Sequence, residues 1–439
     1  MRKFIVGIVL FYFKFFAKIA LLIHKPITIG IAGSVGKSST RNALEAILKD
    51  YKKTKIVRGN SETGVPLGIL EIEMESYKLP QWLKAIALSP FKIMATKKYV
   101  YMIVEMGIDD PFPPKNMEYL LSIIKPDISI SLNISATHTL QFSKLLNRKP
   151  KDKEDYEFLL EKIAEEDTKI ISKSGCKLGI YDKDNKYLDN ELKNFKGTEL
   201  LTFGKSTSNN IYFDEYMVDT DGTEFTFVLD GQKIDIKLKH LVLPEAYREV
   251  LAPAILTAYK LGIDTKTITE NLENNYSLPK GRASVFKGIK GTIIIDSSYN
   301  SSKLAVITFL KLAKNLAEKK KTEVAFLMGD MRELGDLAEK EHKEIAKLIN
   351  ECVDYLYCVG PLTHEFVIPN VSKNIKKSIW FENSNEAGKF LAEHLPKGVI
   401  LLVKGSQNNI FLEEAIKPLL LNKEDEKKLP RQEKYWKKS

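Results

Sequence analysis

Three groups of residues in the first third of the chain have the types and spacing to handle a charged phosphate. Residues 30–40 read GIAGSVGKSST, with glycines at 30, 33 and 36 ahead of Lys37, Ser38 and Ser39. The widespread phosphate loop is G-x-x-x-x-G-K-[ST], and its first glycine would fall on Ile31 here. The chemistry does not need that glycine. Backbone N–H groups around Gly33, Ser34 and Gly36, at a helix start, face an anion whose charge the helix dipole favours. Lys37 then reaches the β- and γ-phosphates, and the Ser38 hydroxyl ligates Mg²⁺. The alternative is a glycine-rich turn with an incidental lysine. Magnesium needs further hard ligands. Glu105 ends the apolar run IVEMG, where an unpaired carboxylate is costly and a cation or polar cleft is its expected partner. His138 follows DISISLNIS in NISATHT, just past a strand end, and is either a further ligand or a structural histidine.

The elements that must position these groups alternate. ITIGIAG reads as a short strand, SSTRNALEAILKDY as a helix with Leu44, Ile47 and Leu48 on one face, and YVYMIVEMG and DISISLNIS as buried strands. This pattern predicts an α/β fold, a parallel sheet covered by helices with its chemistry at the strands' carboxyl ends. Residues 198–243 read as β-rich, with a hairpin turning at Asp230-Gly231, and a helix follows over about 246–261. After Pro279 and Gly281 the alternation resumes through GTIIIDSSYN, VAFLMGD, YLYCVG and VILLVKGS, which predicts a second, doubly wound α/β domain. The expected domains are 1–25, a basic, membrane-facing N-terminal helix; 26–278, a central P-loop nucleotide-binding domain; 279–422, a C-terminal domain; and 423–439, a charged tail that is solvated and frayed.

A chain of 439 residues is too long for one ordinary core. Three cysteines, at 176, 352 and 358, have no metal or disulfide spacing and fit a reducing cytoplasmic setting. The formal charge of +10 is concentrated at the two ends. No basic groove with stacking aromatics or known module accompanies it, so no nucleic-acid partner is expected.

The N-terminal stretch FIVGIVLFYFKFFAKIALLI is almost entirely apolar and long enough to cross a bilayer. On a helical projection Lys3, Lys14, Lys18 and Lys25 fall within roughly a 60° arc. A one-sided lysine stripe fits a helix lying on a membrane surface better than one that crosses it. The alternative is a helix packed on the protein's own domain.

Taken in order, GIAGSVGKSST, NSETGVP, VEMG and NISATH resemble the ATPase domain of the Mur ligase family, whose loop is G-x-x-G-K-[ST]-[ST]. KGRASVF, IIDSSYNSS, MGDMRELG and LVKGS are similar to segments of that family's C-terminal domain. The resemblance covers about residues 26–418. Within the family, GVPLGIL and GDMRELG look most like the branch that joins D-alanyl-D-alanine to a UDP-N-acetylmuramoyl-tripeptide. The resemblance implies amide formation through an acyl phosphate, with ATP and Mg²⁺. It implies that Ser38 and Glu105 hold one magnesium and His138 a second, and that Arg282, Asp296, Tyr299 and Asn300 close on the nucleotide. Lys404, Gly405 and Ser406 would face the incoming amino-acid substrate, and Asn60 and Thr63 the muramoyl peptide or the phosphates. A monomer is expected, in the cytoplasm or at the inner face of the plasma membrane.

Departures from the family pattern are local. Asp167 stands where a carbamoylated lysine is expected to present a carboxylate to the second metal, and Leu140 where an acidic residue is common. LPEAYREVLAP lacks a His-Asn pair, and DSSYNSSK lacks a second aspartate and a proline. Only about 25 residues precede the loop, where the family usually has a UDP-binding domain. These changes leave two alternatives: a ligase with a different, even lipid-linked, acceptor, or a non-catalytic nucleotide-binding scaffold at the inner membrane face.

Overall fold

A computed structural model describes residues 2–432 apart from 75, 77, 136–138, 240, 333, 335, 336 and 407–409. The chain divides into two compact units: Met1–Glu215, Phe225–Ile236 and Arg248–Tyr276 in the first, and Tyr216–Glu224, Lys237–Tyr247 and Ser277–Ser439 in the second.

In chain order, the strands of the first sheet are β1 Ile27–Ala32, β2 Thr54–Val57, β3 Tyr101–Glu105, β4 Ile128–Ser131, β5 Leu178–Asp182, β6 Glu199–Gly204, β7 Ile211–Asp219, β8 Gly222–Leu229 and β9 Gln232–Lys239. Their spatial order is β2-β3-β1-β4-β5-β6-β7-β8-β9, and β2 to β6 pair in parallel. Strands β3, β4 and β5 are buried along their whole length, as short apolar runs covered on both faces must be. The order reverses between β3 and β4, on either side of β1. In open α/β sheets the ligand crevice lies at such a reversal, outside the carboxyl ends. β8 turns into β9 through Asp230 and Gly231, with φ of 49° and 76°, a pair suited to a type I′ hairpin.

The second sheet comprises β10 Ser284–Lys287, β11 Ile293–Ser297, β12 Val324–Gly329, β13 Tyr355–Val359, β14 Lys377–Phe381 and β15 Ile400–Lys404, in the order β10-β11-β15-β12-β13-β14. β10 is antiparallel to β11 and the remaining pairs are parallel.

The apolar N-terminal stretch forms one helix, Arg2–His24. Leu10, Phe13, Ala17 and Ala20 are buried against the first unit, so one face packs on the protein itself. The lysine stripe does not stay together in solvent. Lys14 turns inward, donating to Ser122 Oγ at 2.7 Å and lying 5.3 Å from the Tyr119 ring centre, and this burial lowers its pKa. Lys18 remains exposed.

The described part of the tail also departs from expectation. Leu429 and Arg431 are buried, and the Lys427 carbonyl accepts a hydrogen bond from Lys280 Nζ at 2.6 Å. Pro430 packs so closely on Gly281 that a β-carbon there would lie 2.8 Å from its ring. Leu429, Pro430 and Arg431 make the described end of the chain a packed strap rather than a frayed tail, while Lys423, Glu424, Lys427 and Lys428 stay exposed.

Candidate active site

In the first unit the loop between β1 and the Lys37–Leu48 helix carries Gly33 at φ 131° and Gly36 at φ 92°, a region that disfavours side chains. The loop is stitched to the residues after β4. Ser34 N–H donates to the Asn133 carbonyl at 2.8 Å, Val35 N–H donates to Asn133 Oδ1 at 3.0 Å, and Asn133 Nδ2 donates back to the Val35 carbonyl at 3.1 Å. Ser135 N–H donates to Ser34 Oγ at 2.9 Å. Asn133 was not singled out by sequence, although its position at a strand end beside the loop was the available signal.

Gly36 at the N-cap of the Lys37–Leu48 helix supplies no side-chain cap, and among the described residues no carboxylate or hydroxyl is recorded as accepting from its first N–H groups. The Lys37 ammonium folds onto the Gly33 and Ser34 carbonyls. Desolvation lowers its pKa, against the opposing pull of Asp167, Glu105 and Asp109. Ser38 Oγ donates to Glu105 Oε2 at 2.9 Å, and Ser39 follows on the same first turn, half-buried. Glu105 also pairs with the Arg41 guanidinium. Arg41 was missed in the sequence; its signal was the i, i+4 spacing from Lys37 that puts both on one helix face.

Asp167 does not present an open carboxylate to a metal. It is buried beneath the loop, accepting from Ser131 Oγ at 2.5 Å and from the Gly33 N–H. Burial raises its pKa to about 6, against the favourable field of Lys37. The Lys153–Ser172 helix directs it between β4 and the loop, which makes it a support for Gly33. His138 lies outside the described residues. Asn60 and Thr63 line a cleft of about 900 Å³ shared with Arg58, Lys55 and Tyr99, and the Asn60 carbonyl accepts from Gly107 N–H at 3.0 Å, two residues past Glu105.

The second unit gathers the remaining candidates at the carboxyl ends of β11 and β15. Asp296 is fully buried and accepts from Ser298 N–H at 2.9 Å; burial raises its pKa to about 6. The Arg282 guanidinium stands 5.1 Å from the Tyr299 ring centre. Asn300 caps its own turn through Ser301 N–H at 2.8 Å.

Lys404 and Ser406 are turned inward rather than toward a substrate. Lys404 is 2% exposed and donates to Ser297 Oγ at 3.2 Å and to the Asn300 carbonyl at 2.9 Å. Desolvation and nearby Arg282 bring its pKa down to about 7. Ser406 Oγ accepts from Arg332 N–H at 2.9 Å and donates to the Ser301 carbonyl at 3.4 Å. Gly405 packs on Gly329, whose Cα would lie 2.8 Å from an added β-carbon. Gly405 thus lets β15 close on the end of β12, while Lys404 and Ser406 brace the strand-end loop that carries Tyr299 and Asn300.

Arg431 does the same from the strap. It bonds Glu413 through Nε at 2.6 Å and Nη2 at 2.5 Å, and it donates to the Tyr299 and Ser298 carbonyls at 3.2 Å. Nothing in the local sequence marked it, because its partner lies 18 residues away.

A phosphate loop at the reversal point of a parallel sheet, beside a hydroxyl and a carboxylate, defines a nucleotide-binding α/β protein of the P-loop class. Two family descriptions match the chain: "Mur ligase middle domain" over residues 31–241 and "Mur ligase, glutamate ligase domain" over residues 281–407. The chain belongs to the Mur ligase family and is an ATP-dependent ligase. It is 27% identical over 399 residues to the UDP-N-acetylmuramoyl-tripeptide–D-alanyl-D-alanine ligase of Buchnera aphidicola subsp. Baizongia pistaciae, covering 89% of this chain and 75% of that one. It is also 27% identical over 392 residues to the protein of the same name from Borreliella burgdorferi, covering 87% and 72%. The crystal structure of MurF ligase from Thermotoga maritima in complex with ADP superposes with a TM-score of 0.69 at 20% identity, covering 95% of this chain and 84% of that one.

Proposed function

We propose that this ligase adds D-alanyl-D-alanine to a UDP-N-acetylmuramoyl-tripeptide in peptidoglycan precursor synthesis, the reaction its relatives are named for. The observation that carries the reading is the uncapped helix start of the phosphate loop, with the Ser38–Glu105 oxygen pair beside it. That donor set fits a magnesium nucleotide: free N–H groups for phosphate and two hard oxygens for the cation.

A carboxylate is a poor electrophile, so the substrate's terminal carboxylate must first be activated as an acyl phosphate at the expense of ATP. The dipeptide amine then attacks the acyl carbon and phosphate leaves. The work falls on positioning and on stabilising charge, not on a protein nucleophile. Gly36, Ser38 and Ser39 at the helix start offer N–H groups to the phosphates, Gly33 and Ser34, whose N–H groups serve Asp167 and Asn133, shape the loop around them, and Lys37 would neutralise the terminal phosphoryl group. Ser38 and Glu105 would hold Mg²⁺, with His138 as ligand to a second ion, and bound magnesium would neutralise charge on the phosphates. Asn60 and Thr63 contact the muramoyl peptide. Arg282, Tyr299 and Asn300 serve the nucleotide, the buried Asp296 holds their turn through Ser298 N–H, and Lys404 and Ser406 brace the same loop. Asp167 supports the loop from below. The enzyme works as a monomer in the cytoplasm and touches the inner membrane face through its N-terminal helix.

The test is phosphate release from ATP with magnesium present, with each acceptor supplied alone and both together. Release that requires both the muramoyl tripeptide and D-alanyl-D-alanine, with formation of the pentapeptide product, supports the reading. Release driven equally by other amino acids, or by none, overturns it.

A further inference from the structure

Resting on the membrane contact proposed above, we infer that the N-terminal helix is only half of the docking surface, and that residues 79–96 supply the other half. Together they form one face for an anionic lipid bilayer.

Two segments far apart in sequence are packed side by side within the first unit. Tyr12 Oη donates to the Ile86 carbonyl at 3.1 Å, Thr96 Oγ1 to the Ala20 carbonyl at 3.5 Å, and His24 Nε2 meets the Ile93 carbonyl at 3.2 Å. The Phe13 and Trp82 rings lie 6.1 Å apart. Each segment then shows solvent an apolar side it does not use for this packing. On Arg2–His24 it is Ile8, Phe11, Phe15 and Leu22, at the i, i+3, i+4 spacing of a single stripe. On Leu79–Leu88 it is Leu79 and Leu83, one turn apart, and on Phe91–Thr96 it is Phe91 and Met94. Phe91 is 81% exposed and Leu79 70%. Large apolar side chains gathered this way mark an interaction surface on a soluble unit, whereas single exposed ones mean little.

Charge selects the occupant. No aspartate or glutamate occurs in residues 2–44 or in residues 76–104. The exposed charges among them include Lys18, Lys25, Lys78, Lys84 and Lys97. Apolar points set among lysines match acyl chains beneath anionic headgroups. A second copy of the same face would bring lysines against lysines. A groove of about 750 Å³ between Val6, Leu10 and Phe11 on the helix and Pro113, Pro114 and Tyr119 extends the apolar surface.

The test is sedimentation of the full-length protein with vesicles of phosphatidylcholine alone and with about a third phosphatidylglycerol. Binding to the anionic vesicles that weakens with salt is expected. Leu83→Glu/Phe91→Glu and, separately, Phe11→Glu/Phe15→Glu should each reduce it at least tenfold, with unchanged thermal midpoint and unchanged turnover on soluble substrates. If only the Phe11/Phe15 variant loses binding, the composite surface is refuted while the helix contact stands. If the wild-type protein does not bind anionic vesicles, both are refuted. A dimer in sedimentation velocity that Leu83→Glu/Phe91→Glu dissociates would make the face a contact between copies and overturn the lipid assignment. None of these outcomes depends on which substrate the ligase joins.

Discussion

Arg431 and Glu413 form a bidentate pair inside the second unit, with Nε to Oε1 at 2.6 Å and Nη2 to Oε2 at 2.5 Å and both side chains almost wholly buried. The guanidinium also satisfies the Tyr299 and Ser298 carbonyls, so the strap and the β11 loop share one cation. Removing one partner leaves a buried charge uncompensated, which costs about 3–5 kcal/mol. Arg431→Met and Glu413→Leu are each expected to lose that much in urea unfolding, and the double variant less than either. Truncation after residue 422 should match Arg431→Met. A truncated protein as stable as the full chain would show that the strap carries no stability.

Lys37→Ala should lower turnover by about a thousandfold, the scale of a lost electrostatic contact to a transferring group. Its ammonium is desolvated in the fold, so its removal should leave the thermal midpoint unchanged or raise it. Single-turnover acyl phosphate formation is the measurement. Turnover within tenfold of wild type would remove Lys37 from the phosphoryl step.

Glu105 is shared between Ser38 and Arg41, so a magnesium ion held there as proposed would compete with the guanidinium for one carboxylate. Glu105→Gln keeps the shape and an oxygen for the hydroxyl but removes the negative charge. The expected result is about a tenfold higher magnesium concentration for half-maximal rate at saturating ATP. A purely structural role would lower the thermal midpoint and leave the magnesium dependence where it was.

The sequence made the first unit's site legible because its signals are local. A strand, three glycines, a lysine and a helix occur within about a dozen residues, and Glu105 stood out as a charge ending an apolar run. The substrate-facing roles expected of Lys404 and Ser406 did not follow from such signals. Residue type gives no direction, and both turn inward because the β11 and Asn300 turns offer carbonyls and hydroxyls that would otherwise be buried without donors. Asp167 was expected beside a metal because the resemblance sets it where a carbamoylated lysine stands, whereas the packing of its helix beside β4 directs it under Gly33. Arg431 and the second half of the apolar face were invisible because their partners are far away in the chain.

Asp167 gives the structure a specific pH signature. Its pKa rises from 3.8 in the unfolded reference to about 6 in the fold, so between those values the native state holds more protons than the unfolded one. Stability must therefore fall as pH rises through that window and level off above about 6. A carboxyl shifted that far corresponds to roughly 3 kcal/mol once fully ionised. Asp296 is shifted in the same direction and contributes its own decline, which a change at 167 leaves in place. Asp167→Asn keeps a polar group for Ser131 without the titration. Relative to wild type it should gain up to about 3 kcal/mol between pH 4 and pH 6.5 and remain flat above. Urea unfolding of both proteins at half-unit pH steps measures the difference. A difference independent of pH would mean that the carboxyl is not held protonated by burial, and would return Asp167 to a solvated position beside the loop.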